Sequence, residues 1–381
     1  METRTRWLHL VAITATLTAT SLVWSMTLPL LGLALDGRGA SGEAIGLSAA
    51  AQSLGGLVIA PAAALAMRTR GPALPTLLAL VITAALYIAF PLFDGYAPWL
   101  AIRFALGLAT GALWIIGEAW INQLAEEHAR GRALAFYSMS LSAGSALGPT
   151  VLSVMGTTGW GPFLVSAGLT LASAIPVLFV LRGTRPMAGR PSSGFVGYLR
   201  QTPVPLLICG LSAAMSGIIM TFLPLYGLGL GLTEDRMLFL ASCMGVGGIA
   251  CQYPIGWLAD RIDRMRLALA GSLALLACVI LVPWTVGSSP WDAIHFFVLG
   301  GVMGGLYTVG MTLLGQRYRD ADLAGASAAY GIMWGGGMLA GPPIGGTVME
   351  TVPPHGFVWA LAALVVLYLP FPLLAVLRRR T

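Results

Sequence analysis

The chain alternates between long apolar runs and short polar segments. Twelve runs have about the 20 mostly apolar residues that a bilayer-crossing helix needs. They cover residues 8–34, 43–66, 73–93, 97–123, 133–156, 161–181, 204–230, 236–259, 267–287, 292–314, 324–349 and 356–377. Glycine and proline occur inside these runs, as membrane helices tolerate. The pattern predicts an all-α membrane protein of twelve transmembrane helices, numbered here as spans 1 to 12.

Composition supports this prediction and excludes several classes of protein. Charged residues make up 9% of the 381 residues and hydrophobic ones 57%, whereas soluble proteins carry about a quarter charged residues. An ordinary soluble enzyme, a disordered chain and a nucleic-acid-binding domain are therefore excluded. The four cysteines lie in apolar runs without metal-finger spacing, so we expect no metal site, disulfide framework or cofactor.

The arginines predict the orientation in the membrane. All 21 basic residues are arginine, and 18 of them lie at the termini or in loops that follow even-numbered spans. Because positive loops stay in the cytoplasm, both termini are expected there, in a bacterial inner membrane. We interpret the basic clusters as topology signals rather than as sites for lipid or nucleic acid.

The second half of the chain repeats the first. Four segments recur in order: 27–35 at 222–230, 61–71 at 254–264, 99–104 at 291–296, and the glycine and tyrosine positions of 107–149 at 300–342. A six-span unit repeats with the same polarity, an arrangement that resembles the parallel repeat of major facilitator transporters. We therefore predict halves at 1–181 and 204–381, joined by a polar cytoplasmic linker at 182–203.

The loop after span 8 carries a charged motif. Its sequence, Gly256-Trp-Leu-Ala-Asp260-Arg261-Ile-Asp263-Arg264, resembles the facilitator pattern G-x-L-A-D-R-x-G-R and departs from it at Asp263. The resemblance implies a gating latch in which Asp260 caps a neighbouring helix end, expected near residues 130–133, and Arg261 tethers another. A solvated charged loop is the alternative interpretation.

The corresponding loop of the first half has lost most of this motif. Met67 stands in place of the aspartate and Ala63 in place of the glycine, while Arg68 is retained. The sequence therefore predicts an asymmetric latch.

Small residues recur on spans 5 and 11. Span 11 is similar to the family pattern G-x-x-x-G-P-x-x-G-G, which is usual on span 5 and is associated with exporters. We expect close helix packing and a hinge at these positions, which are Gly144, Gly148 and Pro149 on span 5 and Gly337, Gly341 and Pro342 on span 11.

Span 4 contains the charged residues most deeply placed in a predicted helix. Arg103, followed by Gly107 and Gly111, resembles the family's span-4 pattern. Glu118 is 15 residues further on, about 22 Å along a helix, a spacing that predicts one broad face for both residues. Intramembrane charges usually face a cavity or a partner. Glu118 is our candidate for proton coupling, with a structural hydrogen bond as the alternative. Arg103 is expected to hold an anionic group or to stabilise packing.

Other candidates come from the repeat and from polar stripes. His295, aligned with Arg103, is a second proton-coupling candidate or a packing residue. Thr18, Ser21 and Ser25 form a polar stripe on span 1, which the family resemblance places on a central cavity, with hydrogen bonding to neighbouring helices as the alternative. The remaining cavity candidates are Trp114, Tyr137, Ser216, Met220, Tyr307, Tyr330 and Trp334. For aromatic candidates such as Trp114, Tyr307 and Trp334, packing or anchoring at the membrane interface is the alternative.

The whole chain resembles the major facilitator superfamily, and segments such as 103–114 and 130–138 resemble its YcaD-like permeases. The resemblance implies a monomeric secondary transporter in the bilayer, moving a small organic molecule by rocker-switch alternating access. Protons are the expected coupling ion, and efflux is slightly favoured over import. Alternatives are import of a vitamin-like molecule or of a soft metal ion such as copper, and, in another class, a membrane enzyme. No GxxxxGK[ST] motif for ATP is present.

Overall fold

The structure, a computed structural model, describes residues 3–124, 130–180, 195–318 and 320–378, with side chains at 7–124, 136–180, 197–318 and 325–378. Its helices are α1 (Thr3–Asp36), α2 (Gly42–Val58), α3 (Ala60–Arg70), α4 (Ala73–Ala89), α5 (Tyr96–Leu124), α6 (Arg130–Met155), α7 (Gly161–Ala172), α8 (Ala174–Val180), α9 (Phe195–Gln201), α10 (Pro203–Gly229), α11 (Glu234–Ala259), α12 (Arg264–Thr285), α13 (Trp291–Arg317), α14 (Asp320–Thr351), α15 (Gly356–Tyr368) and α16 (Pro370–Arg378).

These helices confirm the predicted fold class. Ten stretches of the described residues are long and apolar enough to cross a membrane, and α6 and α14 occupy predicted spans 5 and 11. The described part of the chain contains no strand.

In the part of the chain that the structure describes, three spans consist of two consecutive α-helices. The breaks lie within three residues before Pro61, Pro176 and Pro370, between α2 and α3, α7 and α8, and α15 and α16. Proline lacks the N–H that would continue the helical ladder, and its ring crowds the preceding turn. Each pair nevertheless continues along one span.

The chain divides into two compact units, one of residues 1–38 and 51–189, the other of residues 39–50 and 190–381. The short segment 39–50 belongs to the second unit because the start of α2 lies against α14. A Cβ on Gly46 would overlap the main chain of Pro342, and one on Gly42 would lie 2.8 Å from the carbonyl oxygen of Gly346.

Two pairs of helices in the first unit touch backbone to backbone at glycines, and each such contact is called a seam here. In the α1/α6 seam, Cβ atoms on Gly144 and Gly148 would overlap the backbone of α1 at Thr18 and Leu22. The α2/α5 seam is built in the same way, with Gly55 against Phe104 and Gly107 against Gln52. Small residues allow such backbone contact between membrane helices.

The second unit contains the same two seams. The α10/α14 seam places Gly337 against Gly210 and Gly341 against Ala214, and the α11/α13 seam places Gly247 against Phe297 and Gly300 against Met244. These contacts match those of the first unit at offsets of 192 residues on α10 and α11 and 193 on α13 and α14. The sequence match of 27–35 with 222–230 implies an offset of 195 and differs from this seam register by three residues.

Candidate functional site

Glu118 lies on α5 near the end of that helix, and its side chain is exposed. Its neighbours Gly117, Trp120 and Ile121 are buried, and a Cβ on Gly117 would lie 2.6 Å from Leu17 of α1. Glu118 therefore occupies the face of α5 that turns away from the core of its unit. Among the described side chains, none forms a hydrogen bond or ion pair with its carboxyl group.

Arg103 lies inside the first unit. It is 0% exposed, and its Nε donates to Gln52 Oε1 at 3.1 Å. Neither Nη atom has a hydrogen-bond partner among the described residues. This position favours packing within the unit over an exposed anion site, and Arg103 and Glu118 do not share the broad face expected from their spacing.

The aromatic candidates of the first unit belong to its apolar core. Tyr137 is 7% exposed and Trp114 is half-buried, and both pack in one cluster with Leu17 and Trp120. Trp114 is thus partly accessible, whereas the ring of Tyr137 is not.

The polar stripe on α1 is largely part of the α1/α6 seam. Ser21 Oγ donates to the Leu141 carbonyl oxygen at 3.0 Å and lies 2.7 Å from Ser145 Oγ. Ser25 is buried against Gly148 and donates to the carbonyl oxygen one turn earlier. For both serines these contacts favour the alternative, bonding and packing between helices, over a cavity lining.

Three other polar or soft side chains remain half-buried. Thr18 donates to the carbonyl oxygen of Thr14 within α1 at 2.8 Å. Ser216 and Met220 are neighbours on one stripe of α10, whose surrounding positions are buried. These side chains remain candidates for a surface that contacts substrate.

The aromatic candidates of the second unit meet in one cluster. The ring of Tyr307 lies 5.4 Å from Tyr330 and 5.7 Å from Trp334, both in edge-to-face geometry. Tyr330 is buried and its hydroxyl donates to the Tyr307 carbonyl oxygen at 3.2 Å. Tyr307 and Trp334 are half-buried, so this pair presents aromatic surface while Tyr330 supports it from behind.

His295 joins α13 to α12. Its Nδ1 hydrogen-bonds with the Thr285 hydroxyl, and its Nε2 lies 2.9 Å from the Cys278 carbonyl oxygen, which can only accept. Both ring nitrogens are therefore engaged, with Nε2 as the donor. This arrangement favours packing over proton relay.

The α11/α13 seam also corrects the proposed match between His295 and Arg103. Because Gly107 and Gly300 make equivalent contacts, the residue equivalent to Arg103 is Phe296, which is 1% exposed. The second unit therefore has an apolar ring where the first has a buried guanidinium.

The loop between α11 and α12 is held by Arg264. Its Nη2 pairs with Asp260 at 2.9 Å, its Nε donates to the Ala259 carbonyl oxygen at 2.9 Å, and its Nη1 donates to Thr312 O of α13 at 3.3 Å. Asp260 thus has a partner in its own loop. Its expected neighbours at 130–133 have side chains outside the described residues.

The other motif residues of this loop have local roles. The guanidinium of Arg261 lies 3.8 Å from the Trp257 ring centroid, and Asp263 caps α12 by accepting from the Arg266 N–H at 2.9 Å. A Cβ on Gly256 would meet nothing within 4 Å, so packing does not require glycine there.

In the first unit the corresponding loop is packed differently. Met67 is buried with Ala63 against Ile116 of α5, while Arg68 is exposed at the end of α3. The methionine fills an apolar contact where the motif of the second unit carries a carboxylate.

Sequence reasoning did not identify the ion pair between Arg236 and Asp292. Arg236 Nε donates to Asp292 Oδ2 at 3.1 Å and its Nη2 bonds to Oδ1, while Asp292 is fully buried. The pair ties the start of α11 to the start of α13. The repeat contained a signal, because in the seam register of α13 Asp292 stands where the first half has the apolar Trp99.

The described residues contain no group of three or more His, Cys, Asp or Glu that could hold a metal ion. All four cysteines are free.

A family model of the Major Facilitator Superfamily matches residues 13–306 and 206–381. The chain is 24% identical over 342 residues to the uncharacterized MFS-type transporter YfkF of Bacillus subtilis, covering 86% of this chain and 85% of the relative. It is 26% identical over 301 residues to the uncharacterized MFS-type transporter YcaD of Escherichia coli O6:K15:H31, covering 77% and 76%.

Solved structures show the same fold at low sequence identity. The nucleoside transporter NupG matches with a TM-score of 0.78 at 13% identity, over 96% of this chain and 99% of the other. A bacterial homolog of the human lysosomal transporter Spinster, inward-facing and unoccupied, matches with a TM-score of 0.74 at 14% identity, over 97% and 95%. The chain therefore belongs to the Major Facilitator Superfamily and is a multi-pass membrane transporter, not an enzyme.

Proposed function

We propose that this transporter is proton-coupled and moves a small organic molecule, with Glu118 as the group that carries the proton. The observation behind the proposal is the position of Glu118. Among the described residues, other acidic side chains lie in loops or at most two positions from a helix end. Glu118 lies six positions before α5 ends at Leu124, and its exposed carboxyl group has no partner among them. An intramembrane carboxyl group is costly in lipid, which favours contact with an aqueous path.

We propose that the substrate contacts the half-buried aromatic pair of the second unit. Tyr307 and Trp334 offer an edge-to-face surface, and Ser216 and Met220 supply a small hydroxyl and an adaptable thioether on α10. Aromatic surface with a few polar groups suits a flat or amphipathic organic molecule.

The proposed mechanism, orientation and direction of transport are inferred from the sequence. The six-helix halves, 1–181 and 204–381, would alternate access by a rocker-switch movement. The linker 182–203 and both termini would lie in the cytoplasm of a bacterial cell. The protein would act as a monomer in the inner membrane. Export is the proposed direction, on the resemblance of the span-11 glycine pattern to that of exporters.

The first experiment identifies a substrate. Purified protein is screened by thermal shift against drugs, vitamins, amino acids and metal ions, and hits are tested for counterflow in proteoliposomes. An organic molecule that stabilises the protein and exchanges across the membrane supports the proposal, whereas exchange of a metal ion alone would overturn it.

The second experiment tests Glu118. We expect Glu118→Gln to retain counterflow, which moves no net protons, and to lose accumulation driven by a pH gradient. The matched control is Asp94→Asn, which neutralises an exposed carboxylate outside the spans and should behave as the wild type. If Glu118→Gln still accumulates substrate at the wild-type rate, Glu118 does not carry the proton.

A further inference from the structure

The side chain of Tyr198 packs the short helix α9 into the second unit. Tyr198 lies in the segment predicted to link the halves, yet it is only 4% exposed. Its ring packs edge-to-face on Tyr318, with 5.3 Å between centroids, in a cluster that includes Leu206, Leu314 and Ala326. A side chain of the linker thus enters the core of a membrane-embedded unit.

The space that holds the Tyr198 ring, called its socket here, depends on a glycine of α14. A Cβ on Gly325 would overlap the phenolic oxygen of Tyr198 and would lie 2.8 Å from its Cζ. No other residue type leaves space for the ring at this position. By contrast, a Cβ on Gly331 of the same helix would meet nothing within 4 Å.

Hydrogen bonds join the socket to the start of α10. Thr202 donates to the Tyr198 carbonyl oxygen through both its N–H, at 2.9 Å, and its hydroxyl, at 3.0 Å. Tyr318 in turn donates its hydroxyl to Gln201 Oε1 at 3.3 Å. The ring of Tyr198 is therefore surrounded by the start of α10, the end of α13 and the early part of α14.

The hydroxyl of Tyr198 is buried without a hydrogen-bond partner among the described residues. Burying an unsatisfied hydroxyl is unfavourable, whereas the same group is well solvated when the ring leaves the socket. Tyrosine therefore holds α9 less tightly than phenylalanine would, which suits a contact that opens and closes.

We propose that Tyr198 is a releasable latch that fastens the linker to the ends of α13 and α14 and limits how fast they separate from α9 during transport. The part of the proposal that concerns transport rests on the proposed function, whereas the latch itself does not.

The latch is tested by limited trypsin digestion of the purified full chain, with cleavage after Arg200 followed by mass spectrometry. Arg200 is exposed on α9, and cleavage within a helix requires local opening. We expect Tyr198→Ala to increase the rate of this cleavage at least ten-fold. Tyr198→Phe should decrease it roughly ten-fold, a factor that corresponds to about 1.4 kcal/mol.

Gly325→Ala provides an independent test from the opposite side of the socket. It should open the latch in the wild-type chain and add nothing in the Tyr198→Ala chain, because the ring it displaces is absent. Gly331→Ala is the matched control and should leave cleavage unchanged. Unchanged cleavage in Tyr198→Ala, or an equal effect of Gly325→Ala in both backgrounds, would overturn the latch.

The consequence for transport is measured by counterflow of an identified substrate. Tyr198→Phe is expected to slow substrate exchange several-fold. The rate of exchange is expected to change equally in Tyr198→Ala and in Gly325→Ala, because both open the latch. If cleavage responds as expected but exchange does not, the latch exists without controlling transport. Absence of any substrate exchange in the wild type would instead contradict the proposed function and leave the digestion result intact.

Discussion

Gly107 of α5 lies so close to Gln52 of α2 that a Cβ on the glycine would overlap the main-chain carbonyl oxygen of Gln52. Gly300 stands in the same relation to Met244 in the second unit. The shared contact shows how the repeated sequence becomes a repeated structure, because in each unit a glycine sets the distance and the register of two helices.

Substitution in these seams should destabilise the protein. Gly107→Ala and Gly300→Ala each force two backbones apart, and overpacking of this kind costs about 1–3 kcal/mol. The measurement is the thermal unfolding midpoint in detergent, which should fall in both variants.

The control for the seam variants is Gly168→Ala on α7, where a Cβ would meet nothing within 4 Å. Alanine is the better helix former, so this midpoint should stay the same or rise. If the unfolding midpoint of Gly107→Ala equals that of the Gly168→Ala control, the two helices are not as close as the structure shows.

Breaking the ion pair of Arg236 with Asp292 by removing one partner should destabilise the protein more than replacing both residues. Arg236→Met leaves a fully buried carboxylate without its cation, which should cost on the order of 3 kcal/mol. Asp292→Leu in the same chain should recover most of that loss, since a buried ion pair replaced by apolar residues is often neutral. Unfolding midpoints of the single and double variants measure the coupling.

A control for this pair is Arg38→Met, which removes an arginine that follows α1, stacks on Trp99 and donates to the Ala34 carbonyl oxygen. Arg38→Met should lower the unfolding midpoint much less than Arg236→Met does. Equal losses in the two variants would show that the carboxylate of Asp292 does not depend on Arg236.

Orientation in the membrane is tested with single cysteines. In a chain whose four natural cysteines are replaced by serine, Ser288→Cys lies exposed between α12 and α13, and Ile262→Cys lies exposed between α11 and α12. A membrane-impermeant maleimide should label Ser288→Cys in intact cells and Ile262→Cys only after permeabilisation. The reverse pattern would contradict the predicted orientation.

Much of the fold follows from the sequence because membrane helices are long, apolar and separated by polar loops. The predicted spans coincide with the observed helices within a few residues, and the paired glycines on spans 5 and 11 lie in seams. Glycine positions are informative here because only a residue without a side chain permits backbone contact.

The faces of the helices were harder to predict. In a membrane both the lipid-facing and the packed surfaces are apolar, so periodicity does not show which way a residue points. Ser21 and Ser25 therefore resembled a cavity lining although they bond and pack against α6, and Arg103 and Glu118 were placed on one face although one is buried and the other exposed. The pair of Arg236 and Asp292, separated by 56 positions, becomes visible only when α11 and α13 are packed together.

The central claim is that substrate movement carries protons through Glu118. Once a substrate is identified, the most direct measurement uses proteoliposomes that contain a trapped pH-sensitive dye and no initial pH gradient. We predict that an imposed substrate gradient changes the lumenal pH in the wild type and in Asp94→Asn, and does not in Glu118→Gln. Substrate transport without any change in lumenal pH, or an undiminished pH change in Glu118→Gln, would contradict the account.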